Sequence, residues 1–350
     1  MTLTPPLTQP ASHRQPHETL ATQPIRVAVL GAGGLGKAAA RIIGVKQDLR
    51  LVAICDSHHV AYRADGLNTT AIANHMGTLE VSCDPAARLQ QTDDPIGRVI
   101  ELAGDVDGVV IALPNMPNEF IPGVIQRFTE ARQGLVFVDV LKRSRAVEQM
   151  FELDAAVRAS RSVVLTGCGA TPGLLSAAAV LAAQSFIQVE RVDIWWGVGI
   201  ANWDAYKATI REDIAHVPGY SVERAQAMTD QEVEAFLAKT NGLLELHQME
   251  HADDVLLQRV GVVESCDQVD VGGVMDTRHA KKPVSTTMTL TGLTYEGKRA
   301  SHRFILGDET TMAANVVGPA LGYLKRGVWL KAHHLFGVFG STEFMPMVVR

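Results

Sequence analysis

Cysteine is scarce in this 350-residue sequence. Its four cysteines, at positions 55, 83, 168 and 266, lie far apart and form no Cys-x-x-Cys pair. Zinc ribbons and disulfide scaffolds need closely spaced cysteines, so the sequence argues against both. The pattern is typical of a protein of the reducing cytoplasm, which is the location that we expect.

The sequence also lacks an excess of positive charge and a long unbroken apolar segment. Lysine and arginine number 32 against 38 acidic residues, a formal net charge of -6, which argues against nucleic acid or an anionic membrane as a partner. The longest uncharged run, 162–189, is interrupted by Gly167, Gly169, Pro172 and Gly173. The remainder is too short to cross a bilayer, so we expect no membrane-spanning segment.

The first 24 residues contain five of the 15 prolines and no apolar core of a secretory signal. We expect residues 1–24 to form a disordered tail, with a processed presequence as the alternative.

Beyond this tail, the composition is that of a protein with packed cores, with 47% hydrophobic and 20% charged residues. The length suggests about two domains. Short apolar runs alternate with amphipathic stretches, which predicts parallel strands covered by helices on both faces. We therefore predict an α/β fold with a doubly wound parallel sheet, whose strands cover 25–30, 51–56, 108–113, 135–141 and 163–166.

After residue 188 the pattern changes to consecutive strand-like runs. The runs at 189–198, 269–275, 285–293 and 301–306 predict a mixed or antiparallel sheet, with a helix over 221–239. The expected division is a first domain over 25–187, a second α+β domain over 188–310, and a C-terminal part, 311–350, whose helix over 312–325 packs back on the first domain. The apolar elements of the second domain favour a homo-oligomer.

A glycine motif between the first strand and its helix indicates dinucleotide binding. The sequence GAGGLG begins at Gly31, and Asp56 follows at the end of the second strand. This context is that of a Rossmann fold, in which glycines allow a tight turn and close approach of a pyrophosphate. The alternative is a glycine turn without a ligand. The predicted cofactor-binding residues are Gly31, Gly33, Gly34, Leu35, Gly36, Asp56, Ser57, Ala112, Leu113, Pro114 and Asn115.

The acid at position 56 favours NAD, because it would repel the 2′-phosphate of NADP, although Ser57 and the two histidines after it leave dual use open. The last four predicted residues follow the next core strand, where the ligand crevice of such sheets lies. An ordinary strand-ending turn is the alternative for them.

Lys142 lies just past the carboxyl end of a predicted strand, where it would face the nicotinamide. There the amine could donate a proton or attack a ketone to form an imine. Burial, together with Arg143 and Arg145, would lower its pKa and enlarge the reactive fraction. The alternative is a solvated lysine in a polar turn.

The glycine-rich loop 166–173 leads into a helix, and its free N–H groups could hold a carboxylate or shape the pocket floor. We assign Gly169 and Thr171 to the substrate pocket. A tight strand–helix connection is the alternative, and Cys168 is interpreted as a small packing residue.

These residues resemble the saccharopine dehydrogenase-like oxidoreductases and, more closely, the cyanobacterial BioU family of (S)-8-amino-7-oxononanoate synthases. The similarity extends from Ile25 to Arg350 and leaves out the proline-rich tail. Its most specific stretches are 31–41, 113–128, 139–143, 166–175, 199–219, 249–254 and 307–315.

The resemblance implies a reaction in biotin synthesis. The reactive lysine of the family corresponds to Lys142, which would form an imine with the ketone of 8-amino-7-oxononanoate, and NAD(P)H would reduce it. Carbon dioxide or bicarbonate would add to the substrate amine. NAD(P)+ would then re-oxidise the conjugate toward the lysine side, and hydrolysis would leave Lys142 as allysine after a single turnover. The carbamate product would pass to dethiobiotin synthetase.

The resemblance also places His251 as the base beside this lysine, although a lone histidine is more often a packing residue. Asp253 and Asp254 hint at a metal, which we discount because adjacent acids on a helix diverge. In the second domain, an aromatic wall with a guanidinium would suit a long aliphatic acid, and a core cluster with a surface arginine is the alternative. The residues of this wall are Asn202, Trp203, Tyr206 and Arg211.

Two other functions stay open from the sequence. One is a conventional, multiple-turnover dehydrogenase in which Lys142 acts as a general acid or base. The other is a non-enzymatic sensor that binds NAD(P) and a partner protein.

Overall fold

Two β-sheets organise the chain. The structure is a computed structural model that describes residues 23–114, 116–131, 134–200, 203, 207, 210–307 and 310–350. The strands within these residues are, in chain order, β1 (Ile25–Leu30), β2 (Leu49–Cys55), β3 (His59–Tyr62), β4 (Arg88–Gln91), β5 (Gly108–Ile111), β6 (Val136–Asp139), β7 (Val163–Thr166), β8 (Phe186–Gly199), β9 (Leu243–Leu246), β10 (Val269–Asp276), β11 (Thr287–Thr294), β12 (Arg299–Ile305) and β13 (Gly337–Gly340).

Helices connect these strands and cover the sheets. They are α1 (Gly34–Ile43), α2 (Thr69–Asn74), α3 (Pro95–Leu102), α4 (Phe120–Ala131), α5 (Ser144–Glu152), α6 (Asp154–Ala159), α7 (Leu174–Ala183), α8 (Ile210–Ile214), α9 (Val222–Gln226), α10 (Asp230–Lys239), α11 (Asp253–Arg259) and α12 (Met312–Ala332). Single 3₁₀ turns lie at Val81–Cys83, Ala103–Asp105 and Cys266–Gln268.

The first sheet has eight strands in the order β13-β7-β6-β5-β1-β2-β3-β4. All neighbours from β13 to β2 are parallel, and β3 and β4 extend the edge in antiparallel pairing. Apolar side chains fill both faces: α1, α2 and α12 pack on one, and α3 to α6 on the other. The predicted doubly wound parallel sheet is confirmed, because strands buried on both faces need apolar residues at every position.

The second sheet has the order β12-β11-β8-β10-β9. Only β8 and β10 pair in parallel, so the sheet is mixed. Its core includes Val192, Ile194 and Leu290, which pack with Leu175 of α7 and Leu237 of α10. The second α+β domain predicted from the change of pattern is therefore present.

The chain differs from the predicted helices in two places. The single helix expected over 221–239 is divided into α9 and α10, because Thr229 caps α10: its hydroxyl accepts the N–H of Glu232, whose carboxylate accepts the N–H of Thr229. The last helix, α12, runs past the expected residue 325 to Ala332 and contains Pro319. It packs across β5, β6 and β7, so the C-terminal part completes the first sheet.

Within the described ranges, no helix is both long enough and apolar enough to cross a membrane. The four cysteines are all free, and three of them are buried.

Candidate active site

The glycine motif forms a tight turn between β1 and α1. Gly31 has a φ of +104°, in the left-handed region that favours glycine, and a Cβ there would overlap the carbonyl oxygen of Ala112. A Cβ at Gly36 would overlap the carbonyl oxygen of Gly31. Gly33 and Gly34, by contrast, face open space, with nothing within 4 Å of a built Cβ. The turn is therefore closely packed on its inner side and open on its outer side.

The open side of the turn belongs to a cavity of about 670 Å³ at the carboxyl edge of the first sheet. We call it the dinucleotide cavity. Nearly all of the predicted cofactor residues line it, and Asn115 lies outside the described residues. The lining includes Gly31, Gly33, Gly34, Leu35, Asp56, Ser57, Ala112, Leu113 and Pro114. Gly36 stands behind the turn, where it lets α1 approach the strand.

Asp56 lies at the end of β2 with its side chain largely turned into the protein. One carboxylate oxygen accepts the N–H groups of His58 and His59 at 2.8 and 2.7 Å, and the other accepts that of Leu79 at 2.7 Å. Burial alone would raise the pKa of Asp56, but these N–H groups hold it below its ordinary value. Each carboxylate oxygen has two lone pairs, so the oxygen beside Leu79 keeps one for a further donor.

Lys142 lies on a turn that a buried carboxyl group holds in place. β6 ends at Asp139, and one oxygen of its carboxyl accepts hydrogen bonds from the Leu141 N–H at 3.0 Å, the Gly167 N–H at 2.9 Å and the Thr166 hydroxyl at 3.0 Å. The other oxygen is buried and has no partner. Burial raises the pKa of Asp139 to about 6 despite the three hydrogen bonds.

The backbone of Lys142 is fixed from the other side as well. Its carbonyl oxygen accepts the N–H of Ala252 at 2.7 Å, which joins the lysine turn to the segment before α11. The turn is therefore tied to β7 through Asp139 and to the second half of the chain through Ala252. Such anchoring fixes where the lysine side chain begins.

The side chain of Lys142 lines a cavity of about 310 Å³, which we call the lysine cavity. It adjoins the dinucleotide cavity, because Leu35, Leu113, Pro114 and Met116 line both. Lys142 itself is exposed, which corrects the prediction of a poorly hydrated amine. The reason is its place: the turn lies beyond the end of β6, at the rim of the cavity, and sheet residues do not cover it. The neighbouring Arg143 forms an ion pair with Glu212, and Arg145 forms one with Glu148, each at 3.5 Å.

The glycine-rich loop after β7 contributes to the lining of the lysine cavity as well. Gly169, Ala170 and Thr171 line the lysine cavity, so both predicted substrate residues of this loop lie beside Lys142. Cys168 is completely buried, and burial raises the pKa of its thiol well above the ordinary value. It is therefore a packing residue, as predicted, and not a nucleophile.

His251 belongs to a buried hydrogen-bond network under this loop. Its Nδ1 lies 2.8 Å from a carboxylate oxygen of Asp253, and both side chains are buried. That oxygen also accepts the hydroxyl of Thr171 at 2.6 Å, and the second oxygen accepts the hydroxyl of Ser176. The network links the histidine to a residue of the lysine cavity, a connection that the sequence reasoning missed. Asp253 points inward and Asp254 to Ser144, so the two acids diverge.

The predicted aromatic wall lies elsewhere. Arg211 and Trp203 line a different cavity, together with Lys207. The guanidinium of Arg211 donates to the carbonyl of Met228 at 2.9 Å and to Asp230 at 2.6 Å. Arg211, whose guanidinium was expected to hold the substrate's carboxylate, therefore lies outside the lysine cavity, where Met228 and Asp230 accept its hydrogen bonds. Asn202 and Tyr206 lie outside the described residues.

The arginine that does line the lysine cavity is Arg143. It donates to the carbonyl of Met116 at 3.2 Å and faces Glu212, which is itself exposed. Sequence reasoning assigned Arg143 only an electrostatic effect on Lys142. Its position next to the lysine was the signal that could have identified it.

The fold is shared with several solved dehydrogenases. C. glutamicum DAP dehydrogenase in complex with DAP has a TM-score of 0.55 at 18% identity, covering 92% of this chain and 94% of that one. An engineered D-amino acid dehydrogenase bound to NADP+ has a TM-score of 0.54 at 17% identity, with 91% and 94% covered. Saccharopine dehydrogenase from Saccharomyces cerevisiae has a TM-score of 0.50 at 12% identity, also with 91% and 94% covered. At these identities the likeness shows the fold alone.

No family model matches the chain. A curated protein does: (S)-8-amino-7-oxononanoate synthase BioU from Haloferax mediterranei is 42% identical in an alignment that covers 92% of this chain and 99% of the relative. Identity at this level over nearly the full length of both proteins extends through both domains and confirms the resemblance drawn from the motifs. The chain therefore belongs to the BioU family.

Proposed function

We propose that this chain converts 8-amino-7-oxononanoate to the carbamate of 7,8-diaminononanoate in biotin biosynthesis, with Lys142 as the amino donor. The observation that carries the proposal is the shared wall of the two cavities: Lys142 lines a cavity that adjoins the glycine turn. A reaction that joins an amine to a ketone and changes its oxidation state needs both features within reach of one carbon atom.

The dinucleotide cavity fits NAD(P)H. Gly33 and Gly34 lie at the start of α1 and face open space, so a pyrophosphate could approach the positive end of the helix dipole there, and the remaining lone pair of Asp56 suits a ribose hydroxyl. Ser57 stands beside it, and Ala112, Leu113 and Pro114 lead toward the lysine cavity. When bound, the nicotinamide supplies a hydride and takes one back.

Lys142 then acts as the nucleophile. Its neutral amine adds to the C7 ketone, water leaves, and an imine joins the lysine nitrogen to C7. Gain of a hydride at C7 and of a proton at nitrogen converts this imine to a secondary amine. The substrate's 8-amino group takes up carbon dioxide, supplied directly or from bicarbonate, and loses one proton as the carbamate forms.

Release reverses the direction of the first redox step. Loss of a hydride from the lysine Cε and of a proton from the nitrogen moves the double bond to the lysine side. Water hydrolyses this imine, the nitrogen leaves with the product, and Lys142 remains as the aldehyde allysine. The C7 carbon is reduced by two electrons and the lysine Cε is oxidised by two, so the dinucleotide returns to its starting state and each chain reacts once.

His251 is the proposed base for these proton transfers. Its Nδ1 lies 2.8 Å from Asp253, and a neutral imidazole that donates its N–H there would have a lone pair on Nε2 for this role. The hydrogen bond between Ala252 and the carbonyl of Lys142 keeps the histidine segment beside the lysine turn. Arg143 is the proposed partner of the substrate's carboxylate, and the apolar cavity wall suits its aliphatic chain.

The substrate would also supply the cover that the exposed amine lacks. An aliphatic chain lying along Ile121, Val140 and Val316 would exclude water from the rim beside Lys142. Dethiobiotin synthetase is the proposed recipient of the carbamate. The homo-oligomer expected from the sequence stays a prediction.

The test is a count of product molecules per chain. The protein is incubated with 8-amino-7-oxononanoate, bicarbonate and NADH or NADPH, and the intact mass is followed. We expect product to stop at one per chain. Lys142→Arg should abolish the adduct and keep dinucleotide binding, while Lys239→Arg, an exposed lysine of α10, should behave as the wild type. Many turnovers with an unchanged Lys142 would favour a conventional dehydrogenase instead.

A further inference from the structure

The polar groups of the lysine cavity differ in what they can offer a ligand. The side chains of Lys142 and Arg143 are hydrogen-bond donors only. Asn118 also lines the cavity, and its carbonyl oxygen is buried and has no hydrogen-bond partner among the described residues. Thr171, which is half-buried, is the remaining polar side chain on the wall formed by the glycine-rich loop.

Asp253 decides which role the Thr171 hydroxyl plays. The hydroxyl has one proton, and it is donated to the Asp253 carboxylate at 2.6 Å. A carboxylate accepts hydrogen bonds and donates none, so the direction of this bond is fixed by chemistry. The oxygen of Thr171 therefore has only lone pairs left for a further partner.

Ser176 shows the same arrangement on the other oxygen of Asp253. Its hydroxyl donates to the carboxylate, and its oxygen accepts the N–H of Gly173 at 2.9 Å. The hydroxyls of Thr171 and Ser176 thus each donate to one oxygen of the Asp253 carboxylate, and each hydroxyl oxygen can still accept a hydrogen bond. The oxygen of Ser176 is satisfied by the Gly173 N–H, whereas Thr171 belongs to the lining of the lysine cavity.

We propose that Thr171 is a specificity-determining residue whose oxygen accepts an N–H from the substrate's amino group. The inference rests on the proposed function for its substrate class. The amine at C8 lies one carbon from C7, the atom that Lys142 attacks, so it reaches the part of the cavity that holds the lysine. Arg143, a hydrogen-bond donor, then binds the carboxylate of the substrate, and Thr171, an acceptor, binds its amino group. The cavity thus distinguishes the two polar ends of the ligand.

Two ligands that cannot form an imine test this directly. Nonanoate and 8-aminononanoate lack the ketone, so their binding to the protein with NAD+ present is independent of lysine chemistry. Isothermal titration calorimetry at pH 7 gives the ratio of their dissociation constants for the wild type, for Thr171→Val and for Thr171→Ser. Valine removes the hydroxyl at nearly constant volume, and serine keeps it.

We expect the wild type and the serine variant to bind 8-aminononanoate about tenfold more tightly than nonanoate, the size of effect that one hydrogen bond to a charged group gives. The valine variant should lose this preference and bind nonanoate as the wild type does. Equal preference in the wild type and valine proteins, or a wild type that does not distinguish the ligands, would overturn the proposal. Thr171→Ala replaces the valine variant if valine prevents folding.

Failure of the proposed function gives a different result. The same protein samples are incubated with 8-amino-7-oxononanoate and NADH, and intact mass shows whether an adduct forms at Lys142. A binding preference that depends on the Thr171 hydroxyl without any adduct would reject the lysine chemistry and leave the recognition of the amine standing. An adduct with no dependence of binding on the hydroxyl would reject only the role of Thr171.

Discussion

Replacing Asp139 by asparagine should change how the stability of this protein depends on pH. Asparagine keeps an acceptor oxygen for the Leu141, Thr166 and Gly167 donors, and it cannot ionise. In the folded wild type, burial raises the pKa of Asp139 from 3.8 to about 6. At about 1.4 kcal/mol for each tenfold change in proton affinity, this gap corresponds to about 3 kcal/mol.

The raised pKa of Asp139 determines whether stability rises or falls with pH. The folded state holds the proton of Asp139 more tightly than the unfolded state, so its contribution to stability is complete below about pH 4 and is lost as the pH rises to about 6. Roughly half of it, about 1.4 kcal/mol, disappears between pH 5 and pH 8. Over that interval the stability of Asp139→Asn should therefore rise relative to the wild type by about 1.4 kcal/mol.

Urea unfolding at several pH values measures this difference. Asp154→Asn is a matched control, because Arg158 and the Val338 N–H hold the pKa of Asp154 below its ordinary value against the effect of burial. That variant should lose stability relative to the wild type as the pH rises through the acid range. A pH-independent difference for Asp139→Asn, or one of the opposite sign, would refute the view that a buried acid anchors the lysine turn.

Two further pairs of variants follow from the site. Gly36→Ala should destabilise the fold in thermal melting because its Cβ would overlap the Gly31 carbonyl, whereas Gly33→Ala should melt as the wild type and weaken NADH binding about tenfold or more in a fluorescence titration. Arg143→Ala should weaken binding of nonanoate about tenfold in calorimetry, the loss expected for one charge-assisted pair, and Arg211→Ala should leave it unchanged. The reverse pattern in either pair would contradict the assignment of these residues.

The parallel sheet could be predicted because its strands are buried on both faces and therefore consist of apolar residues. The edge strand β4 was missed for the opposite reason, and β3 beside it has only four residues. β4 has the sequence RLQQ, with two residues exposed and two partly buried, and it is held by backbone pairing with β3. The division of the 221–239 helix was readable, since Thr229 and Glu232 have the spacing of a capping box.

In the candidate site too, features set by one strand could be predicted, and features set by contacts between distant segments could not. The glycine turn and Lys142 were predicted because each lies at a fixed place relative to one strand. The position of Arg211 depends on how α8 meets Met228 and Asp230, and no local pattern encodes that contact. Asp139 had a local signal that passed unnoticed: it is the acid that ends an otherwise apolar strand. The exposure of Lys142 depends on how far the turn projects beyond the sheet edge, which spacing alone does not give.

Isotope labelling measures directly whether the ε-nitrogen of Lys142 is transferred to the product. Protein produced with lysine labelled by ¹⁵N at the ε-position is mixed with unlabelled 8-amino-7-oxononanoate, bicarbonate and NADH, and the product is analysed by mass spectrometry. We expect one ¹⁵N atom in each product molecule, at the C7 amine, and a Lys142 peptide that has lost its ε-nitrogen. Unlabelled product, formed while the Lys142 peptide keeps its label, would contradict this transfer.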